Sequence, residues 1–310
     1  MSAAASSSPP LGRYSTLLPP SWRKCIVQWL ADDAPTFDVG GFVVGDKPEE
    51  AWLLGKTGGV VAGLPFFQAV FEELGCTVEW LIEEGSTVAP TAAAPKVVCA
   101  KVRGPARLLL LGERTALNLL SRASGVATEA RRMVDIARAA GWRGEVAATR
   151  KVTPGSFRLV EKYACLVGGA STHRMDLSHM VMLKDNHIWS RGSITAAVRS
   201  AREACGFSSK IDVECGSYEQ AAEAAEAGAE ITMLDNFAPA ELKAVAARLK
   251  AKYPHLCVEA SGGITADTIA SYLSADVDVV SQGALTHGYP CLDFSLKIQP
   301  GLMAQQQSKL

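Results

Sequence analysis

The stretch KIDVECGSYEQAAEAAEAGAEITMLDNF, residues 210–237, decides the fold. Two short apolar runs, KIDVEC and EITMLD, flank a helical segment rich in Ala and Glu. A strand, a helix and a second strand in that order must form a parallel pair, because only a crossover returns the chain to the same edge. The same rhythm extends in both directions after residue 142, through EVAATR, CLVGGA, MVMLKD, LCVEAS and VDVVSQG. Helical segments such as PAELKAVAARLKAKYP lie between most of these runs. Seven such runs predict a barrel-like closure rather than an open sheet with one switch point, and place it over residues 126–290.

Residues 21–125 carry a different pattern. SWRKCIVQWLADD and GLPFFQAVFEELG read as helices, and CTVEWLIEEGSTV and KVVCAKVRGP as strands, so this part is an α+β unit. RLLLLGERTALNLLSRASGVATEARRMVDIARAAG reads as two consecutive helices, with Arg114 on the first turns and Gly141 at the C-terminal glycine position. CLDFSLKIQP is expected to return as a strand to the first domain, which would then include 291–310. The Ala/Ser/Pro-rich residues 1–20 are expected to form a disordered or capping segment, with an organellar targeting peptide as the alternative. They lack the apolar core of a secretory signal.

Composition narrows the class of function. The 310 residues carry 31 Lys and Arg against 32 Asp and Glu, so no global field favours nucleic acid or an anionic membrane. No apolar run approaches the roughly 18 residues needed to cross a bilayer. The eight cysteines form no C-x-x-C pair, which points to a reducing, cytoplasmic setting and no zinc site. No pair of the five histidines has H-E-x-x-H spacing.

In β-α barrels the reactive groups sit at the C-terminal ends of the strands. The residues that close each run are Arg150 and Lys151; His173 and Arg174, a little past the second run; Lys184; Glu214; Asp235; Ser261, Gly262 and Gly263; and Gln282 with Gly283. Cations thus close the early strands, carboxylates the middle ones and glycines the last two. Arg150, Lys151, Arg174 and Lys184 suit a substrate with several negative groups. Glu214 and Asp235 suit Mg²⁺, directly or through water, or ribose hydroxyls, and they equally suit salt bridges to the neighbouring cations. The glycine turns EASGGIT and VSQGALT bring backbone N–H groups together as a phosphate cradle would. A Schiff-base role for Lys184 is a further alternative.

TRKVTPGSFRLVEKYA, GGASTHRMDLSHMVMLKDNHI, DVECGSYEQAAEAAEAGAEITMLDNF and VEASGGIT, in that order, resemble the quinolinate phosphoribosyltransferases, the decarboxylating enzymes of de novo NAD synthesis. The similarity runs from GVVAGLPFF to LDFSLK. It implies an N-terminal α/β sandwich joined to an α/β barrel of fewer than eight strands. It further implies transfer of a phosphoribosyl group from phosphoribosyl pyrophosphate to quinolinate with Mg²⁺, giving nicotinate mononucleotide, pyrophosphate and CO₂. By position, Arg150, His173, Arg174 and Lys184 would hold quinolinate. Lys151, Glu214, Asp235, Ser261, Gly262, Gly263 and Gly283 would hold the donor, and Glu214 and Asp235 the metal. Lys151, Lys184, Glu214 and Asp235 would act in catalysis, and Arg114 would reach into a neighbouring subunit's site to hold quinolinate, in a homodimer or a dimer-based hexamer. One departure falls in the loop after Lys151. Ser156 is inserted between T-P-G and the apolar residue preceding Arg158, and Val152 stands where Thr is common, which bears on the loop's shape and on any role for Arg158.

The nearest rival substrate is nicotinate or another ring acid, which would need one carboxylate clamp fewer. A Schiff-base aldolase or decarboxylase and a non-enzymatic anion-binding barrel are the rivals from other classes.

Overall fold

The computed structural model describes residues 11–300. In chain order a 3₁₀ turn (Arg13–Leu17) precedes helices α1 (Arg23–Asp33) and α2 (Val39–Val44), strands β1 (Pro48–Gly55) and β2 (Gly59–Val60), and helix α3 (Leu64–Glu73). Strands β3 (Thr77–Trp80), β4 (Thr87–Val88) and β5 (Val97–Pro105) lead into helix α4 (Ala106–Ala139). Then come β6 (Glu145–Ala147), α5 (Phe157–Gly168), β7 (Val181–Leu183), α6 (Asp185–Arg191), α7 (Ile194–Cys205), β8 (Ile211–Cys215), α8 (Tyr218–Glu226) and β9 (Ile231–Asp235). The chain closes with α9 (Pro239–Lys252), β10 (Cys257–Ser261), α10 (Ile269–Tyr272), β11 (Val279–Ser281), a 3₁₀ turn (Gly283–Leu285) and β12 (Phe294–Ile298). Two compact units result. Among the described residues, one takes in 11–129, 153–168 and 289–300; the other takes in 130–152 and 169–288.

The first unit is built on an antiparallel sheet of order β12-β1-β5-β3. Its strands alternate as a half-buried sheet should: Phe294 and Leu296 are buried while Lys297 between them and Ile298 is exposed. Leu53 on β1 pairs with Leu296 on one side and Ala100 on the other, so these buried positions form one layer. Helix α3 buries Phe66, Phe67, Val70 and Phe71, and Phe67 meets Trp80 of β3 with ring centroids 5.3 Å apart. The return of CLDFSLKIQP as a strand holds: β12 pairs along β1 from Gly55↔Phe294 to Ala51↔Ile298.

The second unit is a parallel sheet of six strands in the order β6-β11-β10-β9-β8-β7. On β10, Val258 and Ala260 are fully buried on one side, while Glu259 and Ser261 take the other, following the two-residue period of a strand. The same alternation sets Asp212 and Glu214 on one face of β8. Helices α7 and α8 start at serine caps: Ser193 accepts from Ala196 N at 3.1 Å and Ser217 from Gln220 N at 3.2 Å.

Three expectations change. CLVGGA is not a strand but the last turn of α5 and the turn after it, leaving six strands instead of seven. A short apolar run gives the same pattern in a buried helix as in a buried strand. Only Ser171 beyond it touches the sheet, as a single parallel bridge to Ala147. Residues 153–168 group with the first unit, not with the barrel, because α5 sets Tyr163 edge-on against Phe66 at 5.4 Å. The two helices expected after residue 105 are one helix of 34 residues. Ser124, in the middle, turns its hydroxyl to Ala62 N at 3.1 Å, and a Cβ on Gly125 would lie 2.5 Å from Pro290 O. Both residues serve close packing rather than a break. Residues 11–20 carry the first 3₁₀ turn, whereas residues 1–10 of the proposed cap and the C-terminal tail 301–310 lie outside the described residues.

Candidate functional site

The C-terminal ends of all six parallel strands line one cavity of about 650 Å³. Strands β6 and β7 lie at opposite edges of the hydrogen-bonded order, so their meeting at one cavity requires the sheet to curl into a barrel. Beyond β6 the ladder goes on through the Ala147–Ser171 bridge, with Ser171 N donating to Val146 O at 2.8 Å and Ala148 N to Ser171 O at 2.9 Å.

Charge is segregated around the rim. Arg150 and Lys151 follow β6 and are exposed, and Lys184 follows β7. Glu214 and Asp235 end the neighbouring β8 and β9. Lys184 Nζ donates to Glu214 Oε2, and Asn236 Nδ2 donates to Asp235 Oδ2 at 2.6 Å. Burial, and then the negative charge of Glu214, raise the Asp235 carboxyl above its ordinary range, with Lys184 and Lys151 pulling the other way. The main chain of the first cationic loop is fixed: Lys151 N donates to Thr149 Oγ1 at 3.0 Å, and Thr286 Oγ1 donates to Lys151 O at 2.6 Å.

Beneath this rim lies a buried charged layer. His173 has φ +55°, in the left-handed region, which breaks the outward–inward alternation and lets both His173 and Arg174 line the cavity. The ring Nε2 lies 3.1 Å from each Oε of Glu259, and Nδ1 accepts from Arg174 N at 2.8 Å. Arg174 is 7 % exposed and donates to Met180 O and Met182 Sδ, both at 3.4 Å. Burial, and then the charge of Arg150, lower its pKa. Asp212 is fully buried, and neither carboxylate oxygen has a hydrogen-bond partner. Burial, and then Glu259, raise its carboxyl well above the ordinary value.

The two glycine turns follow β10 and β11. Gly262 has φ +101°, and a Cβ there would lie 2.4 Å from Asn236 Oδ1 and 2.6 Å from its backbone N. Only glycine allows that approach. Gly263 has φ +61° and faces open space, and a Cβ on Gly283 would come within 3.0 Å of Lys151 Cδ.

Arg150, Lys151, His173, Arg174, Lys184, Glu214, Asp235, Ser261, Gly262, Gly263 and Gly283, read from the strand ends, therefore line a single cavity. Arg114 does not: it is exposed on α4, in the first unit. Arg158, after the inserted Ser156, is the second residue of α5 and also lies outside the cavity lining. Sequence reasoning missed Glu259, Asp212 and Asn236. The first two had a signal, since each stands two residues before a chosen position, Ser261 and Glu214, and so shares its face. Among the described residues, His173, Asp212 and Glu259 form the one group of three metal-ligating side chains. In that group neither imidazole nitrogen is free to ligate a metal.

A parallel α/β barrel whose strand ends bring together four cations, two carboxylates and two glycine turns defines a protein that binds a phosphorylated, multiply anionic ligand. Residues 36–124 and 126–297 match the profiles described as the N-terminal and C-terminal domains of quinolinate phosphoribosyl transferase. The chain belongs to the quinolinate phosphoribosyl transferase family. It is 52 % identical over 283 residues to the nicotinate-nucleotide pyrophosphorylase [carboxylating] of Rattus norvegicus, covering 91 % of this chain and 93 % of that one. Identity to the protein of that name from Homo sapiens is 51 %, with the same coverage. Among solved structures it is similar to NadC from Streptococcus pyogenes, with a TM-score of 0.81 and 34 % identity, covering 91 % of this chain and 98 % of that one.

Proposed function

We infer that this protein transfers the phosphoribosyl group of phosphoribosyl pyrophosphate to the ring nitrogen of quinolinate, with decarboxylation, giving nicotinate mononucleotide, pyrophosphate and CO₂ for NAD biosynthesis. The observation that carries this reading is the arrangement of the cavity: Arg150, Lys151, Arg174 and Lys184 on one arc, Glu214 and Asp235 on the next, and two glycine turns on the last. A diacid needs two cationic clamps, a sugar needs carboxylate acceptors, and a 5′-phosphate needs bare N–H groups.

The chemistry needs no protein nucleophile. The ring nitrogen attacks the anomeric carbon as its bond to pyrophosphate breaks, and the departing oxygen takes the bonding electrons. Positive charge on the ribose in that step is stabilised by Glu214 and Asp235, and negative charge on pyrophosphate by Lys151 and Lys184. The ribosylated nitrogen is then cationic and accepts the electrons of the adjacent C–CO₂⁻ bond. A proton replaces CO₂ at that carbon. Lys184 is engaged as a donor to Glu214, which suits a charge clamp and not the free amine of a Schiff base.

Glu214 and Asp235 are also the residues that would hold Mg²⁺. They offer hard oxygen ligands, and a divalent cation would relieve both the burial and the Glu214 charge that raise the Asp235 carboxyl. When bound, the ion would neutralise pyrophosphate charge. Arg114 is proposed to hold quinolinate in the site of a second copy of the chain, in a homodimer or a dimer-based hexamer, as the family resemblance implies. Eight free thiols suit a cytoplasmic setting, and no helix of the described residues is long and apolar enough to cross a membrane.

The test is acceptor choice. With phosphoribosyl pyrophosphate and Mg²⁺, quinolinate should yield nicotinate mononucleotide, and nicotinate should yield little. Turnover of nicotinate at an equal or higher rate would overturn the diacid reading.

A further inference from the structure

We propose that Glu259 is the positioning residue that sets Arg174 for quinolinate, acting through the His173 ring; the assignment rests on the quinolinate reading above. A backbone N–H can only donate, so the 2.8 Å contact from Arg174 N fixes His173 Nδ1 as an acceptor without a proton. Nε2 then carries the ring proton and shares it between the two oxygens of Glu259, each at 3.1 Å. Both ring nitrogens are occupied within the protein. His173 has none left for a substrate carboxylate, although it lines the cavity.

The arrangement is one chain of contacts. Glu259 holds the ring, the ring holds the backbone N–H of Arg174, and that backbone aims a guanidinium which is itself 7 % exposed. The side chains of His173 and Glu259 are 8 % and 2 % exposed, so water does not compete for the link. The left-handed backbone of His173 is disfavoured for a residue with a side chain and persists because these contacts hold it. His173, Asp212 and Glu259 offer ligand atoms within 4.8 Å of one another, and Arg174 feels the charge of the two carboxyl groups of this cluster. Its contacts with Met180 O and Met182 Sδ keep the guanidinium in place at the cavity wall.

Glu259→Ala should raise the quinolinate KM at least about tenfold and leave the KM of phosphoribosyl pyrophosphate within about threefold, as expected when one clamp is misplaced by a fraction of an ångström. Glu259→Gln keeps an acceptor for Nε2–H and should bring the quinolinate KM back to within about threefold of wild type. Should Glu259→Ala not fold, Glu259→Asp, which withdraws the acceptor by one methylene, should show the same split. The His173→Ala/Glu259→Ala double variant should lose no more than the worse single variant, since both act through one contact. Equal rises in both KM values, failure of Gln to restore, or additive losses in the double variant would each overturn the assignment. Wild-type enzyme assayed alongside separates the two claims. Donor-dependent product with unsplit variants overturns the role of Glu259 alone, whereas no product from wild type overturns the functional reading beneath it.

Discussion

Lys184 Nζ, at the end of β7, donates to the carboxylate of Glu214, at the end of β8, and Asp235 follows on β9. The ammonium thereby offsets part of the repulsion between two acids on neighbouring strands. Anionic substrates that draw on Lys184 must compete with Glu214 for it, so its charge serves both the resting site and the loaded one.

Removing that charge should be severe. Lys184→Ala is expected to lower kcat/KM by about 100-fold or more, and Lys184→Met, close in volume, by as much, since the charge that would stabilise the departing pyrophosphate is lost. Steady-state kinetics with both substrates checks this. A loss under tenfold for Lys184→Met would show that the chain needs the side chain's bulk and not its charge.

Arg174 is expected to be a clamp that lysine cannot replace, because its planar fork matches a carboxylate with two hydrogen bonds and is held from below. Arg174→Lys should raise the quinolinate KM at least about tenfold, and Arg174→Ala more, with smaller effects on the donor KM. Equal effects on both substrates would undo the division of the cavity into two arcs.

The glycines of the turn after β10 should differ in tolerance. Gly262→Ala would push a methyl into Asn236, at 2.4 Å from its Oδ1, whereas Gly263→Ala meets nothing within 4 Å. Both positions have positive φ, so both variants carry strain of about 1 kcal/mol. Donor affinity by titration calorimetry should fall about tenfold further for Gly262→Ala than for Gly263→Ala. The reverse order would contradict the role of the turn.

In the first unit Glu84 accepts from Gly63 N at 2.7 Å and Leu64 N at 2.9 Å at the start of α3, with the Tyr163 hydroxyl also bonded to it. Burial outweighs these bonds and pushes its carboxyl up to about 8. In the unfolded chain it ionises near the ordinary value of about 4.3. Between those values the native state binds more protons than the unfolded one, so the contribution of Glu84 makes stability fall as pH rises across that window. Urea midpoints at pH 5.5 and 8 should show a smaller decline for Glu84→Gln than for wild type. An equal decline in the two proteins would place the titration elsewhere.

Much of the barrel was legible because its strand ends carry chemistry. Arg150, Lys151, Lys184, Glu214 and Asp235 each close an apolar run, and a run closed by charge marks the strand's C-terminal end. Strand β1 was not legible: PEEAWLLG opens on two acids, and nothing local shows that Glu50 is bonded by Trp52 Nε1 at 2.8 Å and Arg103 Nε at 2.6 Å. Those partners come from folding. Helix α5 was misread for the same reason, since the surface that CLVGGA packs on is distant in sequence. Glu259 and Asp212 are not legible because a buried acid inside a strand resembles nothing in a one-dimensional pattern until the groups around it, His173 bonded to Glu259 and the charge of Arg174 near Asp212, are set beside it.

The most direct test of the central claim is release of labelled CO₂ from quinolinate carrying the label in the carboxylate next to the ring nitrogen, with Mg²⁺, in the presence and absence of phosphoribosyl pyrophosphate. Release is expected only with the donor, matched mole for mole by nicotinate mononucleotide. Release without the donor, or nucleotide formed with the label retained, would contradict the central claim.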